Sequence, residues 1–279
     1  MEKTTMINKK REKLIDIIKS FETLMIAFSG GVDSTLLLHM ACKILGNRVV
    51  AITADWPVHP RRETRQAISI ARAMNVRHIV LHSEEIGADS FVLNPIERCY
   101  ICKTHLFVQL KEHADRLGIG DIAHGANVDD FKEYRPGHKA ADEFNIVAPL
   151  VSAGFTKADV RLLAKDQGLD LWHKPAMACL ATRIPYGEPI TREKLAMVES
   201  AENTIMDAGF TTCRVRHYGP VARIEVLPSE FDKMMVAAVR RHIVERLHDI
   251  GYQYVTMDLD GYVSGSMDRL LPQVEDREG

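Results

Sequence analysis

The feature that most constrains the fold of this chain is an apolar segment, residues 24–28, that runs into Ser29-Gly30-Gly31-Val32-Asp33-Ser34 and then into a leucine-rich stretch. A strand that turns sharply into a helix in this way is typical of a phosphate-binding loop. Adjacent glycines let backbone N–H groups approach anionic oxygens, and the hydroxyls of Ser29 and Ser34 add donors at the positive end of the following helix. The Gly-Lys-Ser/Thr ending of a Walker A loop is absent. The alternative is a glycine-rich turn that binds no ligand.

The first part of the chain alternates short apolar segments with stretches of helical periodicity, of which residues 14–21 are the first. The predicted strands span 24–28, 48–54, 77–81 and 121–124, and further predicted helices span 34–45, 60–74 and 95–117. This alternation indicates an α/β fold with a doubly wound parallel sheet. Ligands bind beyond the carboxyl ends of such strands. We therefore expect the loops after Phe28, Ala54 and His124 to converge.

The pattern changes after about Leu180, where helical and alternating segments follow one another without parallel-sheet spacing. The predicted elements are a helix over 191–208, a hairpin of strands 212–218 and 221–226, a helix over 228–250 and a strand over 252–258. Thr191 is a suitable N-cap for the first helix, and Gly209 ends it. We expect a first domain over residues 1–182 and a smaller α+β domain over residues 183–279.

Composition excludes some classes of protein. The chain has 36 Lys and Arg against 38 Asp and Glu, a formal charge of -2, so it has no basic excess that would indicate a nucleic-acid partner. We find no apolar run of transmembrane length and no signal-peptide core, and we therefore expect a cytoplasmic protein without membrane partners. In that reducing compartment the five cysteines indicate thiols or metal ligands rather than disulfides.

Two cysteines lie close together within the predicted helix over 95–117. If that segment is helical, Cys99 and Cys102 share one face, with about 5–6 Å between their β-carbons, which suits two thiolates on one metal centre. A redox dithiol, half of a zinc site and two buried thiols are the alternatives for a pair of this kind. Cys42 and Cys213 are interpreted as small buried side chains.

A third thiol, Cys179, lies in residues 174–187. Three cysteines without an evident fourth favour an iron–sulfur cluster with one open iron over structural zinc, which normally has four protein ligands. His105 and His173 remain candidates for a fourth ligand.

Three segments together resemble a known family. They are residues 27–36, residues 125–130 followed by Tyr134-Arg135-Pro136-Gly137, and residues 174–187, which include Arg183-Ile184-Pro185-Tyr186-Gly187. In these segments the chain resembles the LarE family of ATP-dependent sulfur transferases, which have the PP-loop fold of the N-type ATP pyrophosphatases, an adenine nucleotide alpha hydrolase-like fold. The resemblance continues through residues 214–216, 222–225 and 251–259, and so covers nearly the whole chain.

The resemblance implies a reaction. Members adenylate pyridinium-3,5-biscarboxylic acid mononucleotide and then transfer sulfur to it, forming thiocarboxylates for a nickel-pincer nucleotide cofactor. Some members sacrifice a cysteine in the segment that corresponds to residues 174–183, and others hold a four-iron four-sulfur (4Fe-4S) cluster whose open iron binds an exogenous sulfide. The set of Cys99, Cys102 and Cys179 resembles the cluster type, and sacrificial transfer from Cys179 is the alternative.

The resemblance also implies roles for residues of the first domain. ATP is expected to contact Ser29, Gly30, Gly31, Asp33 and Ser34. Asp33 is expected to bind Mg²⁺ or to position the loop, because phosphates need charge neutralisation as pyrophosphate leaves. Lys103 is expected to contact phosphate or carboxylate, with a solvated helix lysine as the alternative. Asp129 is expected to contact the adenylate or magnesium.

The smaller domain supplies several arginines within these segments, and arginine suits bidentate phosphate binding. They are Arg183, Arg214, Arg216 and Arg223. By resemblance Arg214 is favoured for the substrate phosphate, with Glu202 and Glu225 as metal or arginine partners; surface ion pairs are the alternative. One departure is visible, since related chains tend to have arginine where this one has Val263, in Gly261-Tyr262-Val263-Ser264-Gly265.

Two other functions fit the same residues. One is thiolation of a tRNA base by the same adenylation chemistry, against which the lack of positive charge argues mildly. The other is a nucleotide-binding regulatory or scaffold protein with structural zinc on its cysteines. For the sulfur transferase the expected partners are a small mononucleotide substrate and a sulfide donor, and the resemblance implies a homo-oligomer.

Overall fold

The structure is a computed structural model that describes residues 2–83, 89–131, 136–175, 178–263 and 265–270. Its contacts divide the chain into two compact units. The first consists of Met1–Phe91 and Ile96–Met177, and the second of Val92–Pro95 and Ala178–Gly279. A domain boundary after Thr182 remains our proposal.

The first unit contains a four-stranded sheet in the part of the chain that the structure describes. Its strands are β1 (Leu24–Ala27), β2 (Val49–Asp55), β3 (Arg77–His82) and β4 (Asp121–His124). All neighbouring strands are parallel, and their order is β3-β2-β1-β4. The predicted parallel sheet is therefore confirmed. Because the strand order reverses between β1 and β4, their carboxyl ends form the topological switch point at which such sheets bind ligands.

Helices cover both faces of this sheet. They are α1 (Glu2–Lys19), α2 (Val32–Leu45), α3 (Arg61–Ala73), α4 (Asp89–Val92), α5 (Arg98–Leu117), α6 (Pro136–Glu143), α7 (Pro149–Ser152) and α8 (Lys157–Asp166). Alternate residues of β1 point to opposite faces, so Ile26 packs in one apolar core with Leu36 of α2, and Met25 packs in the other with Phe107 of α5. Two separate cores on one sheet are the packing of a doubly wound fold.

The second unit has a smaller, mixed sheet. Its elements are α9 (Arg192–Asp207), β5 (Cys213–Tyr218), β6 (Val221–Val226), α10 (Phe231–Met235), α11 (Ala237–Ile250) and β7 (Tyr254–Met257). Strands β5 and β6 form the predicted antiparallel hairpin, and β7 pairs parallel to β6. Thr191 caps α9 by accepting a hydrogen bond from the Lys194 backbone nitrogen. The α+β fold predicted for this region is confirmed.

One predicted element is wrong. A single helix over residues 228–250 was expected, but the segment is divided into a short 3₁₀ turn, α10 and α11. Val236 separates the two helices with φ -58° and ψ 122°, an extended conformation that ends the i to i-4 hydrogen-bond ladder.

The connection between α4 and α5 is held in the second unit by Asn94. This fully buried residue has a left-handed φ of 56°. Its side-chain nitrogen donates hydrogen bonds to three carbonyl oxygens, those of Ile184, Pro185 and Glu188. These bonds explain why Val92–Pro95 groups with the second unit although the chain on either side belongs to the first. Across the described helices, none is long and apolar enough to cross a membrane.

Candidate functional site

The loop between β1 and α2 has the backbone of an anion site. Gly30 adopts a left-handed φ of 71°, and a β-carbon there would lie 3.0 Å from the β-carbon of Ala67, so α3 packs directly behind the loop. Gly31 is the N-cap of α2, and no side chain of the described residues caps it. The first N–H groups of α2 are therefore available to an anionic ligand, which the positive end of the helix dipole also favours.

The two serines predicted to contact ATP lie together at this loop. The hydroxyl oxygens of Ser29 and Ser34 are 3.1 Å apart. Ser34 also donates to the carbonyl oxygen of Gly31 at 3.2 Å, and Ser34 is buried where Ser29 is exposed. The hydroxyl of Ser29 is therefore exposed, whereas the loop packs against α3 at Gly30.

The loop after β4 meets the loop after β1, as parallel neighbours at a switch point require. A β-carbon on Gly125 would lie 2.7 Å from the backbone nitrogen of Ser34, so only glycine fits there. Beyond it, the side-chain nitrogen of Asn127 donates to Asp33 at 3.1 Å and to Asp130 at 2.9 Å. The orientation of the Asp33 carboxylate is therefore set by the loop after β4.

Lys157, at the first position of α8, forms an ion pair with Asp33. Its backbone nitrogen donates to the carboxylate of Asp129 at 2.8 Å, which places that negative charge at the positive end of α8. Lys157 was not among the residues that the sequence patterns indicated. The available signal was the capping box of Thr156 and Asp159, which marks the start of a helix but not the direction in which its first side chain points.

Lys103, on α5, lies among aromatic and imidazole side chains. Its ammonium nitrogen is 5.6 Å from the centre of the Phe107 ring. A β-carbon on Gly137 would lie 3.1 Å from the Lys103 Cγ, so the glycine leaves room for the lysine stem. Burial, and then the positive charge of Lys103, lower the pKa of His59 to about 4 and that of His124 to about 3. Both imidazoles are therefore neutral at neutral pH.

The cysteines divide between the two units. Cys99 is exposed and Cys102 is half-buried, three positions apart on α5, as predicted, whereas the half-buried Cys179 belongs to the second unit. Within the ranges that the structure describes, no three His, Cys, Asp or Glu side chains form a group that could hold a metal ion. The thiols of the helical pair still match the donor chemistry of an iron–sulfur cluster.

The candidate fourth ligands and the remaining cysteines have other surroundings. The ring of His105 lies 5.1 Å from that of Trp56, and His173 is exposed and packs against Trp172. Burial raises the pKa of the Cys42 thiol to about 11. Burial also raises the pKa of Cys213, whose sulfur donates to the backbone oxygen of Glu202. Neither of these two thiols ionises readily, which agrees with their interpretation as structural residues.

In the second unit Arg183 is fully buried, and its guanidinium forms hydrogen bonds with other residues of the same unit. It makes a bidentate ion pair with Glu202, at 2.8 and 3.0 Å. Its Nη1 donates to the backbone oxygens of Ala178 and Cys179 and to the hydroxyl of Thr182. Arg183 therefore fixes the backbone of the segment that carries Cys179.

Arg214 is also buried and stacks on an aromatic ring, with its guanidinium carbon 5.0 Å from the centre of the Tyr262 ring. Its Nη1 donates to the Cys213 carbonyl oxygen. Burial, and then the charge of Arg183, lower the pKa of Arg214.

Glu225 is the carboxylate partner of two other arginines. Arg216 makes a bidentate pair with it at 2.9 and 2.6 Å, and Arg223 contacts it at 3.2 Å. Among the described residues Glu202 and Glu225 thus act as arginine partners. Parts of the motifs lie outside the described residues, namely Tyr134, Arg135, Ala176, Met177 and Ser264.

The parallel sheet, the glycine turn between β1 and α2 and the open N-terminus of α2 define an α/β protein of the ATP-using PP-loop class. Residues 23–98 match the family described as Queuosine biosynthesis protein QueC. The chain is 37% identical over 266 residues to an uncharacterized protein of Synechocystis sp., covering 95% of this chain and 99% of that protein. It is 28% identical over 202 residues to the GMP synthase [glutamine-hydrolyzing] of Aeropyrum pernix, covering 65% of this chain and 38% of that protein.

A further relative decides the family. The pyridinium-3,5-bisthiocarboxylic acid mononucleotide synthase of Lactiplantibacillus plantarum is 34% identical over 269 residues, covering 95% of this chain and 96% of the synthase. The chain belongs to the LarE family, as that synthase does. The membership expected from its motifs is confirmed.

Proposed function

We propose that the chain is an ATP-dependent sulfur transferase. It adenylates a carboxylate of pyridinium-3,5-biscarboxylic acid mononucleotide and replaces the AMP with sulfur, producing a thiocarboxylate for a nickel-pincer nucleotide cofactor. The observation that carries the proposal is the 34% identity to the synthase of L. plantarum over 95% of the chain. The phosphate-binding geometry of the loop between β1 and α2 supports the first step.

In the adenylation step a substrate carboxylate oxygen forms a bond to the α-phosphorus of ATP. The bond from that phosphorus to the bridging oxygen breaks, and pyrophosphate leaves with the electron pair. The N–H groups at the start of α2 and the hydroxyls of Ser29 and Ser34 would bind the phosphates. Asp33 fits Mg²⁺, which is usually held by one or two carboxylates together with substrate phosphates. Lys157 adds a positive charge beside Asp33.

In the transfer step a sulfide forms a bond to the activated carbonyl carbon, and the bond from that carbon to the AMP oxygen breaks. AMP leaves with the electron pair, and the sulfide proton is released to solvent. Holding both reactants in place makes this step effectively unimolecular, which is worth about 7–11 kcal/mol in well-oriented cases. Lys103, in its pocket of neutral imidazoles, would bind the substrate carboxylate or phosphate, and Asp129 would orient Lys157 through the start of α8.

We further propose that Cys99, Cys102 and Cys179 hold a 4Fe-4S cluster. When bound, such a cluster would offer an iron with an open position for a sulfide, which would keep that sulfide anionic and nucleophilic. Support comes from the two thiols on one face of α5 and from Arg183, which fixes the backbone at Cys179. Arg183 thereby acts on the sulfur site through Cys179.

Arg214 is proposed to bind the substrate phosphate. Support comes from its burial and from the nearby charge of Arg183, which in that order lower the pKa of Arg214, because a bound anion would stabilise the charged guanidinium against both. The remaining parts of the proposal rest on family membership alone: a sulfide donor as partner, a homo-oligomer, a cytoplasmic location and separate domains over residues 1–182 and 183–279.

The test is anaerobic iron and labile-sulfide analysis of the reconstituted full chain, combined with an assay of AMP and thiocarboxylate formation. We expect about four irons in the wild type, and loss of iron and of sulfur transfer in Cys99→Ala, Cys102→Ala and Cys179→Ala. Cys42→Ala is the matched control and should keep both. An iron-free wild type in which only Cys179→Ala abolishes transfer would establish the sacrificial route, and iron without pyrophosphate release would contradict the proposed reaction.

A further inference from the structure

Lys174 has a set of contacts that the proposed reaction does not use. Its side chain is only 13% exposed, and its ammonium nitrogen lies 2.5 Å from the Glu63 carboxylate and 2.5 Å from the Gln66 amide oxygen. The same nitrogen is 3.4 Å from the backbone oxygen of Gly30, in the phosphate-binding loop. One ammonium group therefore links the loop to α3.

Two other carbonyl oxygens at the loop are also held by donors. The hydroxyl of Thr53 donates to the backbone oxygen of Phe28 at 2.6 Å. The backbone oxygen of Gly31 accepts from the Thr35 nitrogen at 2.9 Å. Carbonyl oxygens that faced a phosphate would repel it, whereas N–H groups attract it. Tying the oxygens of Phe28, Gly30 and Gly31 to protein donors leaves the N–H side of the loop for the ligand.

Helix α3 provides both parts of the support behind Gly30. Ala67 touches the position that a Gly30 β-carbon would occupy, at 3.0 Å. Glu63 and Gln66 lie four and one positions before Ala67, so all three side chains share one helical face. Through Ala67 this face packs against the loop at Gly30. Through Glu63 and Gln66 it binds the ammonium group of Lys174, which contacts the carbonyl oxygen of Gly30.

The charge of Lys174 is balanced within this group. Glu63 is 15% exposed and forms a close ion pair with it. An ammonium group neutralised in this way, and directed at a backbone oxygen, is arranged to fix the loop and not to bind phosphate itself.

We propose that Lys174 is a positioning residue of the ATP site: held by Glu63 and Gln66, it fixes the Gly30 carbonyl so that the N–H groups of the loop face the triphosphate. The inference rests on the proposed function only in that the loop binds ATP. It does not depend on the sulfur source or on the acceptor.

The experiment measures binding of α,β-methylene-ATP to the full chain by calorimetry. It compares wild type with Lys174→Met, Glu63→Gln and the double variant. Lys43→Met is the matched control, since that exposed lysine donates a hydrogen bond to Gln167. Steady-state AMP formation gives KM for ATP and kcat, and thermal unfolding shows whether each variant is folded.

We expect Lys174→Met to weaken binding about tenfold, equivalent to about 1.4 kcal/mol, with a matching rise in KM and little change in kcat. Glu63→Gln should weaken binding by less, because Gln66 still holds the ammonium, and the double variant should be no worse than Lys174→Met. Lys43→Met should bind as wild type does.

Tighter binding in Glu63→Gln would overturn the inference, because it would mean that Lys174, once released from the carboxylate, binds phosphate directly. Unchanged binding would overturn it as well, because the ion pair with Glu63 would then not help to position the loop. Unchanged binding in Lys174→Met would overturn it as well. If Lys174→Met fails to fold, Glu63→Gln alone decides. A wild type that binds no ATP analogue would instead contradict the proposed function, and normal binding without sulfur transfer would leave the role of Lys174 intact.

Discussion

Gly125 and Ser34 approach so closely that a β-carbon on the glycine would lie 2.7 Å from the serine's backbone nitrogen and 2.8 Å from its α-carbon. Both of these are backbone atoms at the start of α2, and they cannot rotate away as a flexible side chain could. The contact joins the loop after β4 to the loop after β1 at the switch point of the sheet.

Gly125→Ala should therefore displace the start of α2, where the phosphates are proposed to bind. We expect the rate of AMP formation to fall about a hundredfold or more, as it does when donors are misplaced by about 1 Å. Gly120→Ala is the matched control, because its β-carbon would meet no atom within 4 Å. Equal activity of Gly125→Ala and wild type would show that this contact does not position the loop.

The ion pair of Lys157 with Asp33 gives a second prediction. Lys157→Met should lower kcat/KM for AMP formation about a hundredfold, the size expected for one donor that stabilises developing charge. Lys139→Met, at an exposed lysine 3.9 Å from Glu143, is the control and should keep wild-type activity. Wild-type kinetics in Lys157→Met would remove this lysine from the proposed site.

The buried pair of Arg183 and Glu202 makes a prediction about stability. Glu202→Gln leaves a buried guanidinium without its counter-charge, so the free energy of unfolding should fall by about 3–5 kcal/mol. Asp249→Asn, in an exposed pair with Arg246, should change it by less than about 0.5 kcal/mol. Circular dichroism in urea is the measurement, since both tryptophans lie in the first unit. Equal stability of Glu202→Gln and wild type would mean that the ion pair of Arg183 and Glu202 does not form in solution.

Sequence patterns predicted those features that depend on neighbouring residues. The glycine turn at Gly30 and the parallel strands of an α/β sheet follow from local periodicity and backbone freedom, and both appear in the structure. The start of α9 at Thr191 follows from a single capping hydroxyl. The break at Val236 was not predicted, because a β-branched residue within a helical pattern carries no local signal of an extended ψ.

The contacts that complete the candidate site were beyond such patterns. Lys157 and Lys174 reach the loop from distant parts of the chain, and nothing in their own neighbourhood shows which side chain they will meet. The same holds for Asn94, whose three carbonyl partners follow Arg183 in the sequence. Long-range pairings of this kind are decided by the packing of the whole fold, so a motif can suggest a residue without indicating its partner.

The final prediction concerns pH and two buried histidines. Burial, and then the charge of Lys103, lower the pKa of His59 to about 4. The same two causes, together with His138, lower the pKa of His124 to about 3. In the unfolded chain both imidazoles titrate near pH 6.5. As the pH falls below about 6.5, the unfolded state binds protons that the folded state does not, so the folded state loses stability until the folded pKa values are reached.

This loss should amount to roughly 3–5 kcal/mol for each histidine, at about 1.4 kcal/mol per pH unit, and above pH 6.5 the titration of these two groups should no longer change the stability. Urea unfolding between pH 4 and pH 8 measures the slope. His59→Gln and His124→Gln should each reduce that slope between pH 4.5 and pH 6 by the contribution of about one bound proton. If the slope in both variants matched that of wild type, the acid sensitivity would have to come from groups other than these two imidazoles.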